Sequence, residues 1–543
     1  MQFPARRSTL TLTTLDFVVF FGFYAFVLSL SLYKSRNEKT GEDFFLAGRQ
    51  LLWPMIGFSL LASNISTEHF VGMAGQGARH VGFAIANYEF LCVPSMVFIA
   101  LVLLPLFLRI GICTMPEFLE YRYNSTARSF MAIYTVFIYA FVTISAVIYS
   151  GGLTIQTIFG DPNNPKHLLY GILIVASIAT LYTTWGGLKA VAWAQLLQGS
   201  ALLIGGFVTL YEAFRAVGGL GKFYAYNSSR MHLILPASDP VLPWTALIVG
   251  FGLWIPVLYY WGFNQFITQR VLASQSLKQG QNGMIFAAGL KSLMPFLIIV
   301  PGMMAAQLYQ QHVFPAGSNP DQAYPLLVRY LLPAGLRGFM FAAIIDAAVS
   351  SLASMLNSAS TIFTMDLFKR HWKKDASPRL IVKVGRIMTV VFVLIGTSIA
   401  PILGQQSFNG IFSYIQEFQG FVSPGVVAAF LFGLLVKRAP AAAGAVAMAL
   451  SPVIYAITMV LFGNIPFFVE HHITIVSIAF LNRMTISFVL LLLTMTVMTI
   501  VSPMKKPVEF PVLREFDMTP AAGSIVFGGI VVCATVVTYI LLW

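Results

Sequence analysis

From residue 13 to residue 543 one apolar run follows another, with short polar connections between them. Each run is about 20 residues long, the length that carries an α-helix across a hydrocarbon core. Backbone groups in lipid must find partners within their own segment, so runs of this length form helices. The runs fall near 13–34, 51–77, 82–108, 128–158, 168–186, 191–216, 243–268, 284–310, 335–366, 381–403, 408–436, 439–462, 476–502 and 521–543. The expected fold is an all-α integral membrane protein of about fourteen transmembrane helices. Composition agrees: 10% of the 543 residues are charged, against roughly 25% in a soluble domain.

The net charge of +13 does not point to nucleic acid, because the cations sit singly or in pairs between apolar spans. The longest cluster, "KRHWKKD" at 369–375, suits a cytoplasmic loop facing the membrane surface. Cations concentrate in alternate loops. Lys34, Arg36, Lys39, Arg49, Arg109, Arg122, Arg128, Lys189, Arg270, Lys278, the 369–383 cluster, Lys437, Arg438, Lys505, Lys506 and Arg514 fall on one side. Arg6, Arg7, Lys166, Arg215, Lys222, Arg230 and Arg329 fall on the other. This bias predicts both termini outside the cytoplasm. The run from Phe17 to Tyr33 exceeds the roughly 7–15 residues of a signal-peptide core, so it reads as a retained helix. Cys92, Cys113 and Cys533 lie in or beside apolar spans without metal-ligand spacing. The longest polar connections, 217–242 and 311–334, are too short to bury a core of their own. A sensor kinase or an appended enzyme is therefore not expected.

Polarity inside the spans is concentrated. "NISTEHF", residues 64–70, places an amide, two hydroxyls, a carboxylate and an imidazole mid-membrane, where ionisable groups are costly and mark ion or substrate pathways. Five helices later, "GLWIPVLYYWGFNQFITQ" carries Pro256 and a polar aromatic run. Proline removes a backbone hydrogen bond, so a break is expected there. Paired interrupted helices point to a transporter built from inverted repeats. The expected organisation is an extra helix and loop at 1–50, repeats at 51–217 and 243–436, an outer loop at 218–242 and further helices at 437–543.

Ser350 and Ser351 lie in a Ser- and Ala-rich helix. They are either small-residue packing or hard oxygen ligands for a monovalent cation beside a broken helix. Lys291, Glu89 and Gln416 are isolated polar groups within apolar stretches. Separately each suits a helix–helix hydrogen bond; together they would form a pocket for a polyhydroxylated or zwitterionic solute. The histidines of "EHH", 470–472, lack a third ligand at metal spacing. "GQGARHVG" lacks the strand–turn–helix context of a phosphate loop. No nucleophile has a base beside it, so enzymatic activity is not expected.

The stretches "ASNISTEHFVGMAG", "LYYWGFNQFITQRVLA", "VSSLASMLNSASTIFTMD" and "YIQEFQGFVSPG" resemble the sodium/solute symporter family, most closely its sodium/sugar branch. The resemblance runs from about residue 15 to the C-terminus. It implies a LeuT-like core of five plus five inverted helices, with one helix before and three after. It implies a sodium site at Ala62, Ile65, Ala347, Ser350 and Ser351, with carbonyls of the unwound helix as ligands. Glu89, Lys291 and Gln416 match sugar-binding positions, and His69 matches the histidine of the animal glucose members. Tyr260 matches an inner-gate tyrosine that bonds to Asn64, followed by Trp261; Met73, Tyr88 and Phe412 match the outer gate. The implied activity is sodium-coupled import of a sugar or related solute across the cell membrane by alternating access. The alternatives are a different small organic solute, or a non-transporting sensor on the same fold.

Three positions depart from the family. Val257 replaces a sugar-binding asparagine of the bacterial galactose members, Cys92 a serine, and Gln195 an aspartate near the sodium. Asp346, where relatives carry a small apolar residue, lies one turn before Ser350 on the same helix face. It is either an acid near a helix end, solvated or paired with Arg337, or supplies, on the cation path, the charge that Gln195 lacks.

Overall fold

The computed structural model describes residues 12–35, 49–112, 114–185, 188–249, 251–315, 319–403, 410–463, 469–471, 473–512 and 516–543. Arg6, Arg7, Arg36, Lys39, Cys113, His472 and Arg514 lie outside them. Among the described residues nine helices are long and apolar enough to cross a membrane. Ten do so if Ile411–Gln419 and Ser423–Leu435, bent by 47°, form one span. The other expected positions hold Thr14–Ser35, Pro165–Trp185 and two interrupted segments at 53–78 and 245–272. Helices Leu277–Gln310 and Leu336–Trp372 run beyond their apolar windows. Their added turns carry residues such as Lys278, Gln279 and Arg370, at ease in interfacial water and therefore outside what hydropathy registers.

Burial sorts the helices into a centre and a rim. Leu336–Trp372 is 94% buried over its most apolar window, whereas Arg379–Leu403, Ala441–Phe462, Phe480–Val501 and Ser524–Leu541 are 17–28% buried and face lipid. The central helix packs against Thr14–Ser35, Trp53–Asn64 and Leu188–Val217. Its N-terminus is capped across the chain: Asp16 accepts from the backbone of Gly335 (2.9 Å) and Gly338 (3.1 Å) and pairs with Arg337 (2.6 Å). The C-terminal end of Ser423–Leu435 is capped by a side chain. Arg122 donates to the carbonyls of Gly433 (2.6 Å) and Val436 (2.7 Å), groups that a helix end otherwise leaves unpaired.

The start of the first interrupted segment meets the end of the second. Leu51, which leads into the first, accepts from Gln275 N (3.2 Å) and donates to Ala273 O (3.2 Å), just past the end of the second. Small residues let other helices approach closely. At Gly302 a Cβ would strike the Ala74 carbonyl, so only glycine allows backbone contact there.

Candidate functional site

The first break follows from local chemistry. Asn, Ser and Thr side chains compete with the backbone for hydrogen bonds, and residues 64–67 read Asn-Ile-Ser-Thr. The helical ladder stops at Ile65 N–H to Leu61 O (2.8 Å). Ser66 N–H then turns to Asn64 O (3.0 Å), which strips the Ala62 carbonyl of its helical donor. Ser66 Oγ accepts from Glu68 N (3.2 Å), and a π-helical turn, Glu68–Met73, carries the chain onward. The second break lies at Asn264 (φ −85°, ψ 121°), where a π-helical turn, Tyr259–Phe263, gives way to Gln265–Leu272. Pro256 does not make it. That residue sits in the first turn of Trp254–Leu258, where a missing N–H leaves no intrahelical bond unmade. Asn264 Oδ1 accepts from the Tyr139 hydroxyl, and Asn264 O receives Thr268 N (3.0 Å).

Between the breaks lies a cavity with an empty volume of about 610 Å³. Asn64, His69, Glu89, Tyr260 and Gln416 line it, together with Met73, Tyr88, Trp261 and Phe412. Val257 and Cys92 line it too. Lys291 stands behind the wall, fully buried. Its ammonium contacts Glu89 Oε2 and donates to Asn64 Oδ1, with the Trp261 ring centroid 5.7 Å away. His69 Nε2 lies 3.5 Å from Glu89 Oε1. Lysine, glutamate, asparagine and histidine therefore form one buried network across three helices. Asn64 is engaged by Lys291 and also faces the Tyr260 hydroxyl. Trp261 Nε1 donates to Cys92 Sγ (2.8 Å), and the thiol donates to Tyr88 O (2.7 Å). On one side Tyr88 meets Phe412 edge to face, with centroids 4.8 Å apart.

Sequence reasoning overlooked Glu68, Thr143, Met355 and Gln419, which also line the cavity. Glu68 was in plain view as the carboxylate of "NISTEHF". The others carried no signal, because a hydroxyl, a thioether or an amide is ordinary in a membrane helix. Among the described residues, four buried polar atoms around the cavity find no hydrogen-bond partner: Glu68 Oε2, His69 Nδ1, Tyr88 Oη and Gln416 Oε1. Buried polar groups are nearly always paired, so this set marks a place built for a polar ligand.

Ser351 of the central helix lies against the end of the first broken helix. Ser351 Oγ reaches Ser63 O at 3.3 Å, and Ser350 Oγ donates to Ala347 O at 3.3 Å. Ser351 thus touches the end of the first helix while Ser350 bonds within its own, and hydroxyl and carbonyl oxygens are hard neutral ligands of the kind that suit sodium.

Gln195 and Asp346 occupy different neighbourhoods. Gln195 accepts from Ser59 Oγ (2.5 Å) and donates to Ser63 Oγ (2.8 Å). The buried guanidinium of Arg270, which donates to Ser59 Oγ (3.0 Å) and Ser354 Oγ (2.9 Å), lies beside it. Asp346 faces Gln198 and Tyr24 instead. The expected partner Arg337 is taken by Asp16, because the aspartate of a neighbouring helix reaches the guanidinium that Asp346, deeper in its own helix, cannot.

Residues 44–451 match the family described as "Sodium:solute symporter family". The chain is 41% identical to a sodium/glucose cotransporter of Vibrio parahaemolyticus over 453 residues, 79% of this chain and 82% of that one. It is 37% identical over 458 residues to sodium/myo-inositol cotransporter 2 of Mus musculus, 78% of this chain and 66% of that one. The solved structure of a Na+-coupled sialic acid symporter in a substrate-bound outward-open state superposes with a TM-score of 0.74. It is 22% identical and covers 92% of this chain and 99% of its own, a likeness of fold.

Proposed function

The chain belongs to the sodium:solute symporter family, and from that premise we infer that it imports a sugar or polyol with sodium by alternating access. It is a multi-pass membrane transporter, not an enzyme, and sodium travels with the solute. The observation that carries the substrate class is the ring of four unpaired polar atoms around an aromatic-walled cavity. A neutral polyhydroxylated solute offers donors and acceptors on every side without adding charge.

Coupling rests on the first break. Sodium held by Ser350, Ser351, Ala347, Ala62 and Ile65 would fix the carbonyls of the unwound turn, from which Asn64 and His69 face the cavity. Ordering one side of this turn orders the other, so each ligand raises affinity for its partner equally. Met73, Tyr88 and Phe412 serve as the outer gate, and Tyr260 with Trp261 as the inner one. Above the outer gate, Arg79 pairs with Asp321 (3.0 Å), and Asp321 Oδ2 accepts from Ile411 N (3.2 Å). The cation-rich loops face the cytoplasm, which leaves both ends of this chain on the opposite side.

The test is competition of glucose, galactose, myo-inositol and other polyols against one transported label in proteoliposomes; inhibition by none of them would remove sugars and polyols from the account. Two variants refine the pocket. Gln416→Ala should weaken apparent substrate affinity roughly tenfold, the worth of one good hydrogen bond of about 1.4 kcal/mol, whereas unchanged binding would detach Gln416 from the solute. Val257→Asn returns a hydrogen-bonding side chain to the cavity wall, typically worth about 0.5–1.5 kcal/mol. Galactose should then compete better than against the parent, and equal competition would clear Val257 of any part in specificity.

A further inference from the structure

A shallow cleft opens at the other end of the central helix and is lined by Ser125, Arg128, Met365, Lys369, Arg370, His371 and Lys374. Its two arginines are already neutralised: Arg128 pairs with Glu120 (2.7 Å) and with Asp366, and Arg370 pairs with Glu120. Lys369 and Lys374 form no ion pair within 4.0 Å among the described residues. The cleft therefore carries excess positive charge on a half-buried Lys369 and an exposed Lys374.

Its surroundings belong to a membrane interface. Trp372, 68% exposed, projects beside it, as aromatic residues do at headgroup depth. Ser125, Ser129, Ile133 and Phe137 follow one i, i+4 row of the neighbouring helix. Ser129 Oγ lies 2.9 Å from His371 Nε2 in the cleft wall, and one and two turns further Ile133 and Phe137 are exposed. Phe137 stacks on Phe141 at 4.7 Å, extending the apolar strip. A basic cleft at one end and an apolar strip leading from it match a headgroup and its acyl chain.

We propose that this cleft binds the phosphate headgroup of an anionic phospholipid of the cytoplasmic leaflet, with Lys369 and Lys374 supplying the charge and the Ile133–Phe137 strip receiving the tail. A free phosphate shares the headgroup chemistry but would gain nothing from the strip. The proposal rests on the membrane reading of the fold and is independent of which solute is carried. Basic clefts between helices on the cytoplasmic side recognise such headgroups, at about 1 kcal/mol, or fivefold, for each lysine near the surface.

The test uses the purified full chain, stripped of lipid, with native mass spectrometry and thermal unfolding during titration with phosphatidylglycerol, phosphatidylcholine or inorganic phosphate. The parent should prefer phosphatidylglycerol over phosphatidylcholine by tenfold or more, and Lys369→Gln/Lys374→Gln should lose most of that preference. Lys505→Gln/Lys506→Gln, at another cytoplasmic loop, should keep it. Sodium-driven uptake by the first variant in the same preparation verifies that it is folded, and its unfolding temperature without lipid serves if uptake fails. Equal binding of both lipids by the parent, or an undiminished preference in Lys369→Gln/Lys374→Gln, would overturn the site. Displacement of phosphatidylglycerol by millimolar inorganic phosphate would assign the cleft to free phosphate and equally overturn a lipid site.

Discussion

Lys291→Met is expected to abolish uptake and to lower stability by about 3–5 kcal/mol, because it leaves Glu89 buried and unpaired. The ammonium is fully buried, contacts Glu89 and donates to Asn64 in the first broken helix. Methionine keeps the length and apolar stem of the side chain and removes only the charge and its hydrogen bonds. The partner double variant separates stability from transport. Lys291→Met/Glu89→Gln should regain most of the lost unfolding temperature, since a buried pair replaced as a unit costs little, while uptake stays absent. A single variant with parental melting and parental uptake would mean that this network neither holds the cavity nor reads the solute.

The second large effect is on sodium. Ser350→Ala/Ser351→Ala removes the Ser351 hydroxyl, which reaches the Ser63 carbonyl at the first break, and the adjacent Ser350 hydroxyl, which bonds to Ala347 O within its own helix. A hydrogen bond to a charged group is worth about 1.5–3 kcal/mol, and two ion–oxygen contacts of that order shift half-saturating sodium by roughly a hundredfold or more. Serine to alanine adds no bulk, so the helix should pack as before and the maximal rate at saturating sodium should largely persist. Sodium activation curves for the single and double variants provide the measurement. Curves superposing on the parent would move the cation away from this helix.

Much of this architecture could be read before any coordinates, for a physical reason. A span must satisfy its own backbone in lipid, so each apolar run had one available form, and the Asn-Ile-Ser-Thr stretch declared a break by its own side-chain chemistry. The second break was misread for the same kind of reason. Pro256 is the more conspicuous residue, yet its place in a first turn makes it harmless, and Asn264, stabilised by Tyr139 from another helix, carries the break. Side-chain partners were the least legible. Lys291 and Asn64 are 227 residues apart, and nothing in either stretch says which carboxylate or amide the lysine will find. Gln195 and Gln198 differ by less than a helical turn, but which of them faces Asp346 depends on how two helices slide and rotate against each other. Arg270 read only as a loop cation, and its burial among Ser59, Gln195 and Ser354 required the fold.

The central claim is that solute movement is driven by sodium through the two broken helices. The direct measurement is uptake of a labelled sugar or polyol into proteoliposomes of the purified chain under an imposed inward sodium gradient. The label should accumulate above its external concentration, decay as the gradient runs down, and fail to accumulate when potassium or choline replaces sodium. Binding of the solute without accumulation, or accumulation that ignores the sodium gradient, would contradict the account.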